Sequence, residues 1–281
     1  MRMSADMRTR VALSIAGSDS SAGAGLQADL KTFSALGVYG ATVVTAVTAQ
    51  NTLGVTAVHV VPAAIIAAQI DAVFSDLAIA AVKTGMLGNE EAIAATAAGL
   101  ARWAQGVPVV VDPVMVSTSG SRLLEAGAEK ALMERLMPLA ALITPNLHEA
   151  AALLDAPVAR NEDEVKEQAR RLFALGPSAV LVKGGHSGGC DATDILYDGV
   201  SFHSYTAPRI TTANTHGTGC TLASAIAAFL VQGHALDRAV AEAKTYLHAA
   251  LAHADDLAIG RGPGPVSHFY RFGRLPPHPA A

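Results

Sequence analysis

The chain has 281 residues, 51% of them hydrophobic and 16% charged, and a formal net charge of -4. That length admits one large domain or two small ones, and the composition excludes a disordered chain. The acidic balance leaves no electrostatic footprint for a nucleic-acid partner.

Two cysteines, Cys190 and Cys220, are too few for a disulfide framework or a cysteine metal cluster. They suit a reducing cytoplasm. Arg2, Arg8 and Arg10 are accompanied by Asp6, and the short apolar segment after them runs into Gly17-Ser18-Asp19, which makes a poor signal peptide. Apolar stretches break before membrane-spanning length, as residues 60–70 do at Pro62 and Gln69. A soluble cytoplasmic protein with no membrane partner is expected.

In chain order, short β-branched runs alternate with Ala/Leu-rich runs. Residues 11–16, 41–47, 79–83, 107–111, 141–144 and 179–183 predict strands. Residues 26–36, 63–74, 90–103, 123–137, 163–175 and 218–231 predict helices. Such alternation predicts an α/β fold with a mostly parallel sheet covered on both faces. Asp198-Gly199, set between β-type runs at 193–197 and 200–205, predicts a hairpin and an antiparallel edge. No linker or repeat is visible, so the expectation is a single domain over residues 1–281, with its core at about 11–270 and frayed termini.

Ligands of such sheets bind outside the carboxyl ends of the strands. Polar residues gather there: Gly17-Ser18-Asp19, Gln50-Asn51-Thr52, Lys83-Thr84-Gly85-Met86, Asp112-Pro113, Thr144-Pro145-Asn146 and Lys183-Gly184-Gly185-His186. Loops favour these residues anyway, but six such ends exceed what loop chemistry requires.

Asn214-Thr215-His216-Gly217-Thr218-Gly219-Cys220, directly before the apolar run 221–231, is the sharpest signal. A glycine turn opening a helix leaves backbone N–H groups unpaired with the positive end of the helix dipole behind them, which is an anion site. A phosphate in transfer is the expected anion. Cys220 there is expected to have some thiolate character, although a small buried residue on an Ala-rich helix is the plain alternative.

Other motifs lose to their contexts. Gly23-Ala24-Gly25-Leu26-Gln27-Ala28 matches a dinucleotide fingerprint, but no Asp or Glu occurs between Leu30 and Ile70 to bind ribose. Gly185-His186-Ser187-Gly188-Gly189 matches a hydrolase elbow, but a strand-like run rather than a helix follows it. No Gly-Lys pair exists, so a Walker-type phosphate loop is excluded.

Asp112 at one strand end, with Asn146 and Glu149 spaced N-x-x-E at the next, can hold Mg²⁺ through its waters. Glu149 can equally be a first-turn helix acid. Lys183 ends an apolar strand, beside either a phosphate or a buried carboxylate. Lys83 leaves the same two readings open.

Taken together, these stretches resemble hydroxymethylpyrimidine/phosphomethylpyrimidine kinases of the ribokinase-like superfamily, over residues of about 11–270. Beyond the strand ends, the match includes Asp29-Leu30-Lys31-Thr32, Asp112-Pro113-Val114-Met115 and Asn146-Leu147-His148-Glu149. Gln50-Asn51-Thr52 together with Cys220 is its most specific part.

The resemblance implies a three-layer α/β/α sandwich and two ATP-dependent steps in thiamine biosynthesis. The first phosphorylates 4-amino-5-hydroxymethyl-2-methylpyrimidine, and the second converts that monophosphate to the diphosphate. It implies ATP and Mg²⁺ as cofactors and a homodimer. Gln50 would hydrogen-bond the pyrimidine, with Gly17, Ala24, Asp29, Met86 and Val114 lining or supporting its pocket. Asp112 and Glu149 would position Mg²⁺, with Asn146 and Gly185 near the nucleotide. Lys183 would approach the ATP phosphates. The amides of Gly217, Thr218, Gly219 and Cys220 would form the anion hole, and Cys220 would serve as the base. Ser20 and Ala22 depart from the family, which often has proline and glycine there. The alternatives are a pyridoxal kinase of the same architecture and, more remotely, a non-catalytic ligand sensor.

Overall fold

The computed structural model describes residues 9–117, 120, 122–184 and 190–273. Gly185, the rest of the loop to Gly189 and the tail beyond Gly273 lie outside the described residues.

The chain runs β1 (Val11–Ser18), α1 (Gly25–Ala35), β2 (Tyr39–Asn51), β3 (Gly54–Val60), α2 (Ala63–Asp76), β4 (Ile79–Thr84), α3 (Glu90–Trp103) and β5 (Val109–Val111). It continues through α4 (Ala128–Ala131), β6 (Leu142–Ile143), α5 (Leu147–Leu153), α6 (Glu162–Phe173), β7 (Val180–Val182), β8 (Asp191–Tyr197), β9 (Phe202–Pro208), α7 (Thr218–Val231) and α8 (Leu236–Ala252). Among the described residues the strands form one nine-stranded sheet, β3-β2-β1-β4-β5-β6-β7-β8-β9. The run from β2 to β7 is parallel, while β3, β8 and β9 are antiparallel.

Strand periodicity sorts the core into two layers. Leu13, Ile15, Val82, Val109, Val111, Ile143, Val180 and Val182 face one layer with α2, α3, α5 and α6. Their neighbours Ala12, Ala81, Val110, Leu142 and Leu181 face the other, with α1, α7 and α8. Both faces being covered is why these strands read as continuous apolar runs. The strand order reverses beside β1, which opens a crevice at the carboxyl ends of β1 and β4.

The expected hairpin is present. Asp198 accepts from the amides of Val200 and Ser201, and Gly199 takes φ +90°. The helix expected over 123–137 is not. Leu123 and Leu124 donate to Met115 O, and Gly127 at φ +89° delays the helix to Ala128. A π turn at Leu132–Leu136 and a 3₁₀ turn at Met137–Leu139, with Pro138 in it, complete the segment. Strands β3 and helices α5 and α8 were not expected. Strands β5, β6 and β7 are shorter than their apolar runs, β5 keeping only the last three residues of its run.

Candidate active site

The loop between β1 and α1 folds around Asp19, which is 2% exposed. Its carboxylate accepts from the amides of Ser21 (2.8 Å), Gly23 (3.1 Å) and Ala24 (2.8 Å), and stands 2.8 Å from His216 Nε2. Burial opposes the charge, but the bonds from His216, Ser21 and Ala24 hold the carboxyl below its ordinary value. Ala22 reaches φ +62° on this turn, a conformation that glycine would adopt more readily.

The far partner of that loop is the turn before α7. Gly217 has φ +80°, and a Cβ on it would overlap the Gly23 carbonyl, so only glycine lets the two loops touch. Thr218 N–H bonds Thr215 O and Thr221 N–H bonds Gly217 O. Among the described residues no carbonyl takes the amides of Gly219 and Cys220, as expected of a first helical turn.

Beneath that turn lie three parallel strand ends. Asp112 follows β5, Asn146 follows β6 and Lys183 follows β7. Lys183 Nζ is 2.8 Å from Asp112 Oδ1 and 3.8 Å from Glu149 Oε2, and the Thr144 hydroxyl donates to the same Asp112 oxygen at 3.0 Å. A Cβ on Gly219 would sit 3.3 Å from Lys183 Nζ and 3.5 Å from Asp112 Oδ2.

Asn146 and Glu149 form a capping box. The Asn146 side chain accepts from the amides of His148 and Glu149, and Glu149 Oε2 accepts from Asn146 N at 2.8 Å. The N-x-x-E spacing therefore starts a helix as well as presenting a carboxylate. Burial pushes the Glu149 carboxyl up to about 7; Lys183 opposes that shift and Asp112 adds to it. Burial alone would lower the Lys183 ammonium, but Asp112 and then Glu149 hold it above the ordinary lysine range. The buried-carboxylate reading of Lys183 is the one the structure shows, and both carboxylate partners line the cavity.

A cavity of about 770 Å³ joins these pieces. Gly17, Ala24, Gln50, Met86 and Val114 line it, as do Asp112, Asn146, Glu149, Lys183 and residues Gly217, Thr218, Gly219 and Cys220. Gln50 Oε1 lies 3.1 Å from the Thr48 hydroxyl and its Nε2 lies 3.5 Å from His216 Nε2.

Asp29 is not on the cavity wall. It is fully buried beneath it, with Lys83 Nζ at 2.9 Å, the Ser14 hydroxyl at 2.5 Å and the Ser224 hydroxyl at 2.7 Å. It can only support the site, and Lys83 resolves to the buried carboxylate pair.

The thiolate expectation for Cys220 is corrected. Burial pushes the thiol up to about 11, against the pull of Lys83 and the Gly25 amide. Desolvation outweighs the helix end here, so the resting sulfur is protonated at neutral pH.

The sequence reading passed over Asp19, Thr48 and His216 as individual site residues. The only signal was their place within the polar strand ends and the glycine turn.

The family model for phosphomethylpyrimidine kinase matches residues 19–267. The chain is 58% identical over 264 residues to the hydroxymethylpyrimidine/phosphomethylpyrimidine kinase of Rhizobium meliloti (strain 1021), covering 94% of this chain and 98% of that one. It is similar to the crystal structure of phosphomethylpyrimidine kinase from Clostridium difficile 630, with a TM-score of 0.77 and 44% identity, covering 86% of this chain and 100% of the other. A Staphylococcus aureus pyridoxal kinase in complex with AMP-PCP and pyridoxal is also similar, with a TM-score of 0.84 and 33% identity, covering 95% and 96% of the two chains. The chain therefore belongs to the phosphomethylpyrimidine kinase family, phosphotransferases built on the ribokinase-like α/β fold.

Proposed function

We propose that this chain transfers the terminal phosphoryl group of ATP to the hydroxymethyl of 4-amino-5-hydroxymethyl-2-methylpyrimidine, and then a second one to the monophosphate. The observation that carries this reading is one cavity running from Gln50 to the first turn of α7 and the Asp112–Lys183 pair. An alcohol held at Gln50 would face a phosphate held at that turn. Phosphoryl transfer passes through a loose transition state, so positioning and charge stabilisation supply most of the catalysis. The amides at the start of α7 and the Lys183 ammonium supply both.

Asp112 and Glu149 offer hard oxygen donors that fit Mg²⁺. Among the described residues no three His, Cys, Asp or Glu side chains converge on a metal. The ion would then be shared with ATP phosphates and water, and bound there it would neutralise phosphate charge. Lys183, already anchored by Asp112, would hold the migrating group. Cys220 is a neutral thiol at rest and accepts no proton in that form, so it can serve as base only through its minor thiolate form, which would take the alcohol proton as the new P–O bond forms. The second transfer starts from a phosphate oxygen and asks nothing of Cys220.

We read residues 1–281 as one catalytic domain, working as a cytoplasmic homodimer. Exposed Val47, Leu53 and Val58 on the β2–β3 edge suit a second copy. Among the described residues no helix is long and apolar enough to cross a membrane.

Pyridoxal phosphorylation is the second reading, favoured by the likeness to the S. aureus pyridoxal kinase. Parallel incubations with ATP, Mg²⁺ and either the pyrimidine alcohol or pyridoxal, followed by product mass, test the proposal. Successive gains of one and two phosphoryl groups support it. A single gain, on pyridoxal alone, would transfer the chain to the second reading.

A further inference from the structure

The Gln50 amide sits between the Thr48 hydroxyl at 3.1 Å and His216 Nε2 at 3.5 Å. The Thr48 hydroxyl owns one proton. Ser18 O, which can only accept, takes it at 2.8 Å. Thr48 Oγ1 can therefore only accept from Gln50. On the other side, the Asp19 carboxylate can only accept, and it is already held by three loop amides. His216 Nε2, 2.8 Å away, must then carry a hydrogen and donate it to Asp19. With Gln50 Oε1 on Thr48 and Nε2 on His216, Thr48 would need two protons and two donors would meet head-on at 3.5 Å. A half-turn of the amide lets Nε2 donate to Thr48 Oγ1 and turns Oε1 toward the His216 N–H, which it would share with Asp19 at the longer distance of 3.5 Å.

We propose that Thr48 and the Asp19–His216 pair are positioning residues that lock the Gln50 amide with its nitrogen toward Thr48 and its oxygen toward His216. This rests on the pyrimidine-kinase reading and adds what the lock does. A 4-aminopyrimidine shows an acceptor, its ring nitrogen, beside a donor, its amino group. Paired with the locked amide, the ring nitrogen lies at the Thr48 end and the amino group at the His216 end. The hydroxymethyl stands next to the amino group, on the side away from that ring nitrogen. It therefore points past His216 toward Gly217 and the first turn of α7. The opposite amide polarity would turn the ring over and carry the alcohol away from the phosphate site. The 4-oxo counterpart of the alcohol, which offers N–H and C=O in reversed order, is rejected because it needs the amide turned.

Two measurements test the lock. In protein labelled with ¹⁵N at glutamine side chains, the Gln50 amide protons, identified by their loss in Gln50→Glu, should show a cross-relaxation contact to the Thr48 methyl and none to the His216 ring. The reverse pattern overturns the proposal without any assay of activity. Kinetically, Thr48→Val frees the amide, so the preference in kcat/KM for the amino over the oxo alcohol should narrow about tenfold, and Thr48→Ser should restore it. An unchanged preference in Thr48→Val also overturns it. If the parent chain phosphorylates neither alcohol, the functional reading falls, while the labelled amide still decides the polarity.

Discussion

Gly219 and Lys183 meet at the first turn of α7: the Cβ that Gly219 lacks would sit 3.3 Å from the Lys183 ammonium. The missing methyl group leaves the ammonium and the Asp112 carboxylate open to the cavity. Gly219 is the second residue of α7, and its backbone is not left-handed. Gly219→Ala should therefore be neutral or slightly stabilising, since alanine favours a helix by up to about 1 kcal/mol over glycine. The methyl group would nonetheless intrude on the bound phosphate, and kcat/KM for ATP should fall roughly 10²-fold. Thermal melting alongside steady-state kinetics checks the split. A matched loss of melting temperature and activity would mean that the glycine serves packing instead.

Cys220 gives a contrast between the two transfers. Its thiol is protonated at rest, so a base role needs the thiolate, and only the step that begins from an alcohol offers that thiolate a proton to take. Cys220→Ala should slow the first phosphorylation by about 10²–10³-fold, the usual span for a lost proton acceptor. The second should change by less than about tenfold. Single-turnover measurements on the alcohol and on its monophosphate separate the steps, and equal losses in both would remove the base role.

Asp29 should behave as a structural residue. Its carboxylate holds the fully buried Lys83 ammonium, and leaving such a charge without its partner costs about 3–5 kcal/mol. Asp29→Asn should lower denaturation stability by that order. An unaltered unfolding midpoint, with a raised KM for the pyrimidine, would return Asp29 to the cavity wall.

What could be read from the sequence follows the range of the physics involved. The covered parallel sheet was legible because Val11, Ile15, Val82 and Val109 announce buried strands locally. The glycine turn at Gly217-Thr218-Gly219 was legible for the same reason. The segment at 123–137 misled because its apolar spacing is helical while Gly127 interrupts it and Pro138 follows directly after it. The alternatives for Lys83 could not be separated, because Asp29 lies 54 positions away and only the fold brings it within 2.9 Å. Asp19 and His216 are 197 positions apart and were invisible as a pair. The pull of burial on Cys220 was likewise hidden, since desolvation depends on neighbours that no local pattern names.

Ala22 carries backbone strain in the loop that wraps Asp19. It sits at φ +62°, where a residue with a Cβ is disfavoured by about 1–2 kcal/mol. Glycine removes that cost but adds about 0.4–1 kcal/mol of unfolded-state freedom. Ala22→Gly should therefore stabilise the chain by about 0.5–1 kcal/mol. Urea denaturation measures it, and a destabilised variant would show that the loop relaxes without strain.

Glu149 makes stability depend on pH in a direction opposite to most carboxylates. Burial raises its folded-state pKa to about 7, from an ordinary value of 4.5. The folded chain therefore holds this proton more tightly than the unfolded one. That contribution is complete below about pH 4.5 and is lost as pH rises through about 7. Glu149→Gln cannot lose the proton, and its amide oxygen can still accept from Asn146 N. Without nucleotide or metal, the stability of the variant relative to the parent should rise across that interval by on the order of 2 kcal/mol. Denaturation curves at pH 5 and pH 8 give the difference directly. If the gap between the two proteins is the same at both pH values, the carboxyl is ionised throughout, and the Lys183 ammonium rather than burial governs it.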